Sequence, residues 1–167
     1  MNTIETILNR RSIRKYTDKP VDKEVILQLL KAGMYAPSAR NSRAWQFVVI
    51  QNREMLDHLS QLHPYGKMMQ EAACAILVCG DRNIDKEEGY LTINCAATTQ
   101  NIMLAAHELG MGSVWLGVYP RQERMKAISE FLQLQEQLMP VSLISLGFPA
   151  EKRPFPERFE LEKIIWK

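Results

Sequence analysis

Arg10, Arg11, Ser12, Ile13, Arg14, Lys15 and Tyr16 put four cations and a hydroxyl into seven residues. Arginine is the side chain best shaped to hold a phosphate, because its planar fork donates two parallel hydrogen bonds and stays charged. A basic run of this kind is also what a solvated turn looks like. Two more cations, Lys152 and Arg153, stand near the other end of the chain, and only folding brings them to the first group. Elsewhere the usual nucleophiles are missing. No GxGxxG follows a strand, and there is no GxxxxGK[ST], GxSxG or HExxH. His58, His63 and His107 form no metal-binding pattern with cysteine or carboxylate, and no acid-base pair of carboxylates is recognisable. Such a chain either does no chemistry or borrows it from a cofactor.

The elements that must position these residues follow from periodicity. Asn2 and Glu5 make a capping box for a first helix whose apolar stripe is Ile4, Ile7 and Leu8. Asp22 caps a second helix, with Val21 and Ile26 as a hydrophobic staple and Val25, Ile26, Leu29 and Leu30 as its buried face. The polar loop Pro37 to Arg43 leads into a strand from Trp45 to Ile50. Asn52 caps a short helix, and Ala75 to Cys79 reads as a strand buried on both faces. From about Glu88 to Leu109 runs a long helix with a small, nearly uncharged centre, terminated by Gly110. A helix without a polar face must be covered all round; it is either a plain core helix or one at a subunit seam. Gly112 to Val118 is a third strand, Arg121 to Leu134 a helix, and Val141 to Leu146 a fourth strand. The proline-rich end finishes in Ile164-Ile165-Trp166, an apolar tip suited to adding a strand to another sheet edge, a partner's included.

Bulk properties exclude several classes. The chain has 167 residues and a formal charge of +2, which fits a single domain over 1–167 and gives no case for nucleic acid as partner. No apolar run approaches the roughly 20 residues that span a bilayer. The N-terminus lacks a signal-peptide pattern. Cys74, Cys79 and Cys95 read as buried free thiols, and the expected address is the cytoplasm.

Four stretches in order, RRSIRKY, APSARNSRAWQFVVI, NCAATTQNIMLAAHELGMGSVWLG and LGFPAEKRPFPERF, resemble the nitroreductase family of FMN-dependent oxidoreductases. The resemblance implies an α+β fold with a mixed central β-sheet flanked by helices and a C-terminal arm exchanged with a partner subunit. It implies a homodimer with FMN at the interface, and ping-pong hydride transfer from NADH or NADPH to nitroaromatics, quinones or similar acceptors. By position, Arg10, Arg11, Ser12 and Arg14 match the N-terminal flavin clamp. Pro37, Ser38 and Asn41 match the loop that approaches from the second subunit, and Trp115, Leu116 and Gly117 the strand end beside the flavin ring. Lys152 and Arg153 match the late basic residues near the phosphate. No protein base is required, and Arg14, or Arg11, is the candidate for stabilising the reduced flavin. Arg43-Ala44 stands where members often carry Gln-Pro, and Asn94 where many carry Asp. Reductive dehalogenation, flavin breakdown and a non-catalytic flavin sensor stay open as alternatives on the same fold.

Overall fold

The computed structural model describes residues 2–167. Nine principal elements follow one another: α1 (Thr3–Asn9), α2 (Lys23–Met34), β1 (Trp45–Ile50), α3 (Arg53–Leu62), β2 (Cys74–Asp81), α4 (Glu88–Glu108), β3 (Gly112–Gly117), α5 (Gln122–Phe131) and β4 (Leu138–Gly147). The strands form one sheet in the order β1-β2-β4-β3, each pair antiparallel. Within this chain the sheet is antiparallel throughout rather than mixed, and the parallel pairing of Ser12 with Ser113 is an isolated bridge outside it. The α+β fold is as expected. β2 is buried along its whole length and β4 from Met139 onward, so the sheet centre is covered on both faces. α4 packs on β2, β4 and β3, and α2 packs on α4.

Two of the expected caps form, whereas Asp22 stands at the N-cap of α2 with no side-chain capping bond. Asn2 and Glu5 exchange both capping-box bonds, and Asn52 accepts the Met55 N–H. Gly110 follows α4 at φ 74°, a left-handed position where a side chain is strained. β4 starts three residues before the expected Val141. Pro140 has no N–H for the ladder, and the β2–β4 register shifts between Val78 and Cys79 to accommodate it.

One further expectation changes. The apolar stripe of α1 does not face the core: Ile4, Ile7 and Leu8 are exposed, while Thr6 is buried with its hydroxyl donating to Glu108 at 2.6 Å. α1 docks by that polar contact and leaves its stripe uncovered within this chain. The C-terminal tip forms no strand within its own chain, and Ile165 and Trp166 are 81% and 84% exposed.

The basic run lies in an extended groove at one end of the sheet. Ile13 donates its N–H to Ser113 on β3 at 3.0 Å, Thr17 to Phe148 at 2.9 Å, and Ala150 to Lys15 at 2.9 Å. Two glycines paired across β3 and β4, Gly112 and Gly147, make room for it. A β-carbon on Gly112 would lie 2.7 Å from Ile13 Cγ2, and one on Gly147 2.8 Å from the Tyr16 ring. The buried Tyr16 hydroxyl donates to the carbonyls of Ile13 and Ser145. Cys74, Cys79 and Cys95 are free and buried.

Candidate functional site

Folding brings the early cations and the late arm together. Arg11 donates Nε to Pro154 O at 3.0 Å and Nη1 to Leu8 O and Arg10 O at 2.7 and 2.8 Å, and it stacks on Phe155. Its Nε and Nη1 are engaged with carbonyls and brace the arm against the end of α1. Arg14 donates its backbone N–H to Glu151 at 2.7 Å. Its exposed guanidinium has no hydrogen-bond or ion-pair partner among the described residues, so it stays available.

Arg10 is the central cation. It is half buried, its Nη1 is buried without an acceptor, and it lines a cleft of about 680 Å³ with Arg11, Gln100 and Arg158. Burial pushes its pKa down, and the charges of Arg158 and then Arg11 add to the effect. A buried guanidinium crowded by like charge, with a donor unspent, fits a bound phosphate. Arg158 is therefore a late cation of this cleft that the sequence reading missed; its signal was only that it shares the proline-rich arm.

Lys152 and Arg153 stand next to this cleft. They line an adjoining cavity of about 310 Å³ that shares Asn9, Arg11 and Phe155 with the first, and Arg153 pairs with Glu151 at 2.8 Å. Burial raises the Glu151 pKa, but the Arg14 N–H and the Arg153 guanidinium outweigh it and hold the carboxyl below its ordinary range.

Ser12 sits beside β3 through its bridge to Ser113. On β3 itself the strand alternation decides which side chains are offered. Trp115 is 36% exposed and Gly117 faces open space, whereas Leu116 is 4% exposed. The Leu116 side chain belongs to the core and has only backbone to present.

The Gly117 carbonyl accepts from two side chains, His63 Nε2 and Arg124 Nη1, each at 3.0 Å. His63 Nδ1 accepts the Tyr65 N–H at 3.2 Å, which assigns the proton to Nε2. His63 thus fixes the strand tip, a role its sequence position 54 residues away conceals. Burial pushes its pKa down, the Gly117 carbonyl acts the other way, and the Arg124 charge reinforces burial. Folded His63 resists a proton that the unfolded chain accepts below about pH 6.5. Its stabilising contribution is complete above that point and is lost as the pH falls. His63→Gln should flatten the fall of Tm between about pH 7 and pH 5, by less than one proton's worth. His107, also lowered by burial and by the charges of Arg10 and Arg11, keeps its own share. Calorimetry across that range decides it, and an unchanged slope refutes the assignment.

Pro37, Ser38 and Asn41 occupy a loop bent by three non-glycine residues with positive φ: Arg40 at 56°, Asn41 at 51° and Arg43 at 48°. Each costs roughly 1 kcal/mol or more and persists because its surroundings hold it. Asn94 accepts the Ala39 N–H at 3.0 Å and donates to Ser42, Ser38 accepts the Arg43 N–H, and Arg40 pairs with buried Asp85 and with Glu87. The Asn94 amide thus both accepts and donates in holding this loop. Ala44 is fully buried at the entry to β1. Among the described residues no hydrogen bond or ion pair joins this loop to the basic run. Asn94 and His107, which mark the two regions along α4, are about 20 Å apart at 1.5 Å per residue.

Known proteins resemble this chain in sequence and fold. A model of the nitroreductase family matches residues 7–64 and 56–148. A Methanothermobacter thermautotrophicus protein named "Putative NADH dehydrogenase/NAD(P)H nitroreductase" is 45% identical over 98% of this chain and 88% of its own length. A Parabacteroides distasonis protein bearing the same name superposes with a TM-score of 0.94 at 39% identity, covering 99% of this chain and 98% of that one. A Desulfovibrio desulfuricans protein solved in complex with FMN superposes with a TM-score of 0.88 at 32% identity, covering 100% and 97%.

Proposed function

This chain belongs to the nitroreductase family, and from that premise we propose that it binds FMN and passes hydride from NADH or NADPH to nitroaromatic, quinone or similar acceptors by a ping-pong mechanism. The observation that carries the reading is the unspent, buried Arg10 N–H in a cleft shared with Arg158. FMN, when bound, supplies the hydride relay between donor and acceptor. Arg10 and Arg158 would hold its phosphate, and Ser12, fixed against β3, would hydrogen-bond it nearby. The free Arg14 guanidinium would offset the negative charge that reduction adds, a preorganised electrostatic effect. Trp115 and Gly117 would wall the ring. Protons for the acceptor come from water.

The pocket would be completed by a second copy of the chain. Pro37, Ser38 and Asn41 lie apart from the clamp in their own chain, and the exposed stripe of α1 and the apolar arm tip both lack cover. A homodimer that exchanges its arms supplies both. Buried free thiols favour a cytoplasmic enzyme.

Purified protein should be yellow, and anaerobic stopped-flow mixing with NADH or NADPH should bleach its flavin absorption. Steady-state rates with a nitroaromatic or a quinone should give parallel double-reciprocal lines. Intersecting lines overturn the ping-pong order, and flavin that no pyridine nucleotide reduces overturns the enzyme in favour of a sensor.

A further inference from the structure

A second cleft, of about 710 Å³, opens beside the tip of β3 and is lined by Leu62, Pro64, Pro120, Arg121, Glu123 and Arg124 among others. That volume lies within the range of small-molecule sites. Both of its walls are tied to one atom. His63, between Leu62 and Pro64, and Arg124 on α5 each donate to the Gly117 carbonyl at 3.0 Å. The cleft therefore lies next to the Gly117 end of β3.

Its chemistry is that of a nucleotide's phosphate-bearing half. The exposed side chain of Arg121 makes no hydrogen bond or ion pair among the described residues, so its planar fork is free. The Arg124 guanidinium lies over the Tyr65 ring at 5.7 Å, and the exposed Tyr65 adds a flat surface of the kind a base or nicotinamide stacks on. Glu123 is the single acid among the lining residues, and the two guanidiniums outnumber it.

We propose that this cleft holds the phosphates of the NADH or NADPH donor through Arg121 and Arg124 while its nicotinamide reaches the flavin ring beside Gly117. The inference rests on the flavin reading above and adds the donor's seat to it. A hydride donor without phosphates, such as 1-benzyl-1,4-dihydronicotinamide, needs no such seat, and the test turns on that difference.

The experiment measures KM for NADH, NADPH and the benzyl donor on the flavin-loaded enzyme with one nitroaromatic acceptor. Arg121→Glu should raise the ratio of the NADPH KM to the benzyl-donor KM by at least about tenfold, the loss expected for one charge-assisted contact. Arg121→Lys should restore most of it. Lys126→Glu makes the same charge change on α5 outside the cleft and should leave the ratio at its parent value. A ratio unmoved by Arg121→Glu, or moved equally by Lys126→Glu, overturns the seat while the flavin reading stands. Flavin that the benzyl donor also fails to bleach in the parent enzyme sinks the flavin reading and this inference with it.

Discussion

Replacing Arg10 by methionine should weaken FMN binding by roughly ten- to a hundredfold, the 1.5 to 3 kcal/mol of a hydrogen bond to a charged group. The same change should make the flavin-free protein melt at a higher temperature. Both effects come from one circumstance. Arg10 is half buried with a donor unspent and two other guanidiniums bearing on it. Without an anion, that charge costs desolvation and repulsion that nothing offsets; with a phosphate it has a strong partner. Flavin-fluorescence titration gives the affinity and calorimetry of the flavin-free form the stability. Arg158→Met should move both in the same direction, and Lys152→Met neither by much, since Lys152 lines the adjoining cavity and not the Arg10 cleft. An Arg10→Met protein that binds FMN within twofold of the parent would refute the phosphate assignment.

The second large effect is expected at a residue that touches no ligand. Gly112→Ala should cost about 1–3 kcal/mol, the usual result of overpacking, and lower Tm by several degrees. The added carbon would press on Ile13 close to its backbone, with Cβ itself at 2.8 Å. A rotamer change cannot relieve such a contact, so the extended segment has to lift from the sheet. Arg10, Ser12 and Arg14 ride on that segment, and flavin affinity should fall along with stability. Gly147→Ala should act alike through Tyr16, whose Cβ would be 3.0 Å away. The contrast is Gly89, in the first turn of α4 with nothing within 4 Å. Alanine there should raise Tm slightly, by helix propensity alone. Gly112→Ala melting with the parent would mean that the groove is not a close fit.

What could be read from the sequence was what is local. The Asn2–Glu5 box, the Asn52 cap and the stop at Gly110 depend on neighbours a few residues away, and all are present. The β3 alternation was equally readable: Val114 and Leu116 inward, Trp115 outward. Its consequence, that Leu116 belongs to the core, needed only the period of two. The losses are non-local. Proline at 140 hides the start of β4, because the bulge that admits it is a property of the pairing with β2. The stripe on α1 was correctly apolar, but periodicity does not say which surface will cover it. Arg158 carried no local mark separating it from other cations of the arm, and His63 acquires its partner only when β3 closes against the loop after α3.

The three cysteines are spread over β2 and α4, and none reaches the surface. Burial lifts the thiols of Cys74 and Cys95 to about 12 and pushes that of Cys79 up as well, with Cys95 adding to it. At neutral pH they therefore stay in the sulfhydryl form, which is the poor nucleophile. Quinones and the products of nitro-group reduction are electrophiles that add to exposed thiolates. If the proposed acceptors are the protein's own, it offers them no cysteine thiolate to arylate.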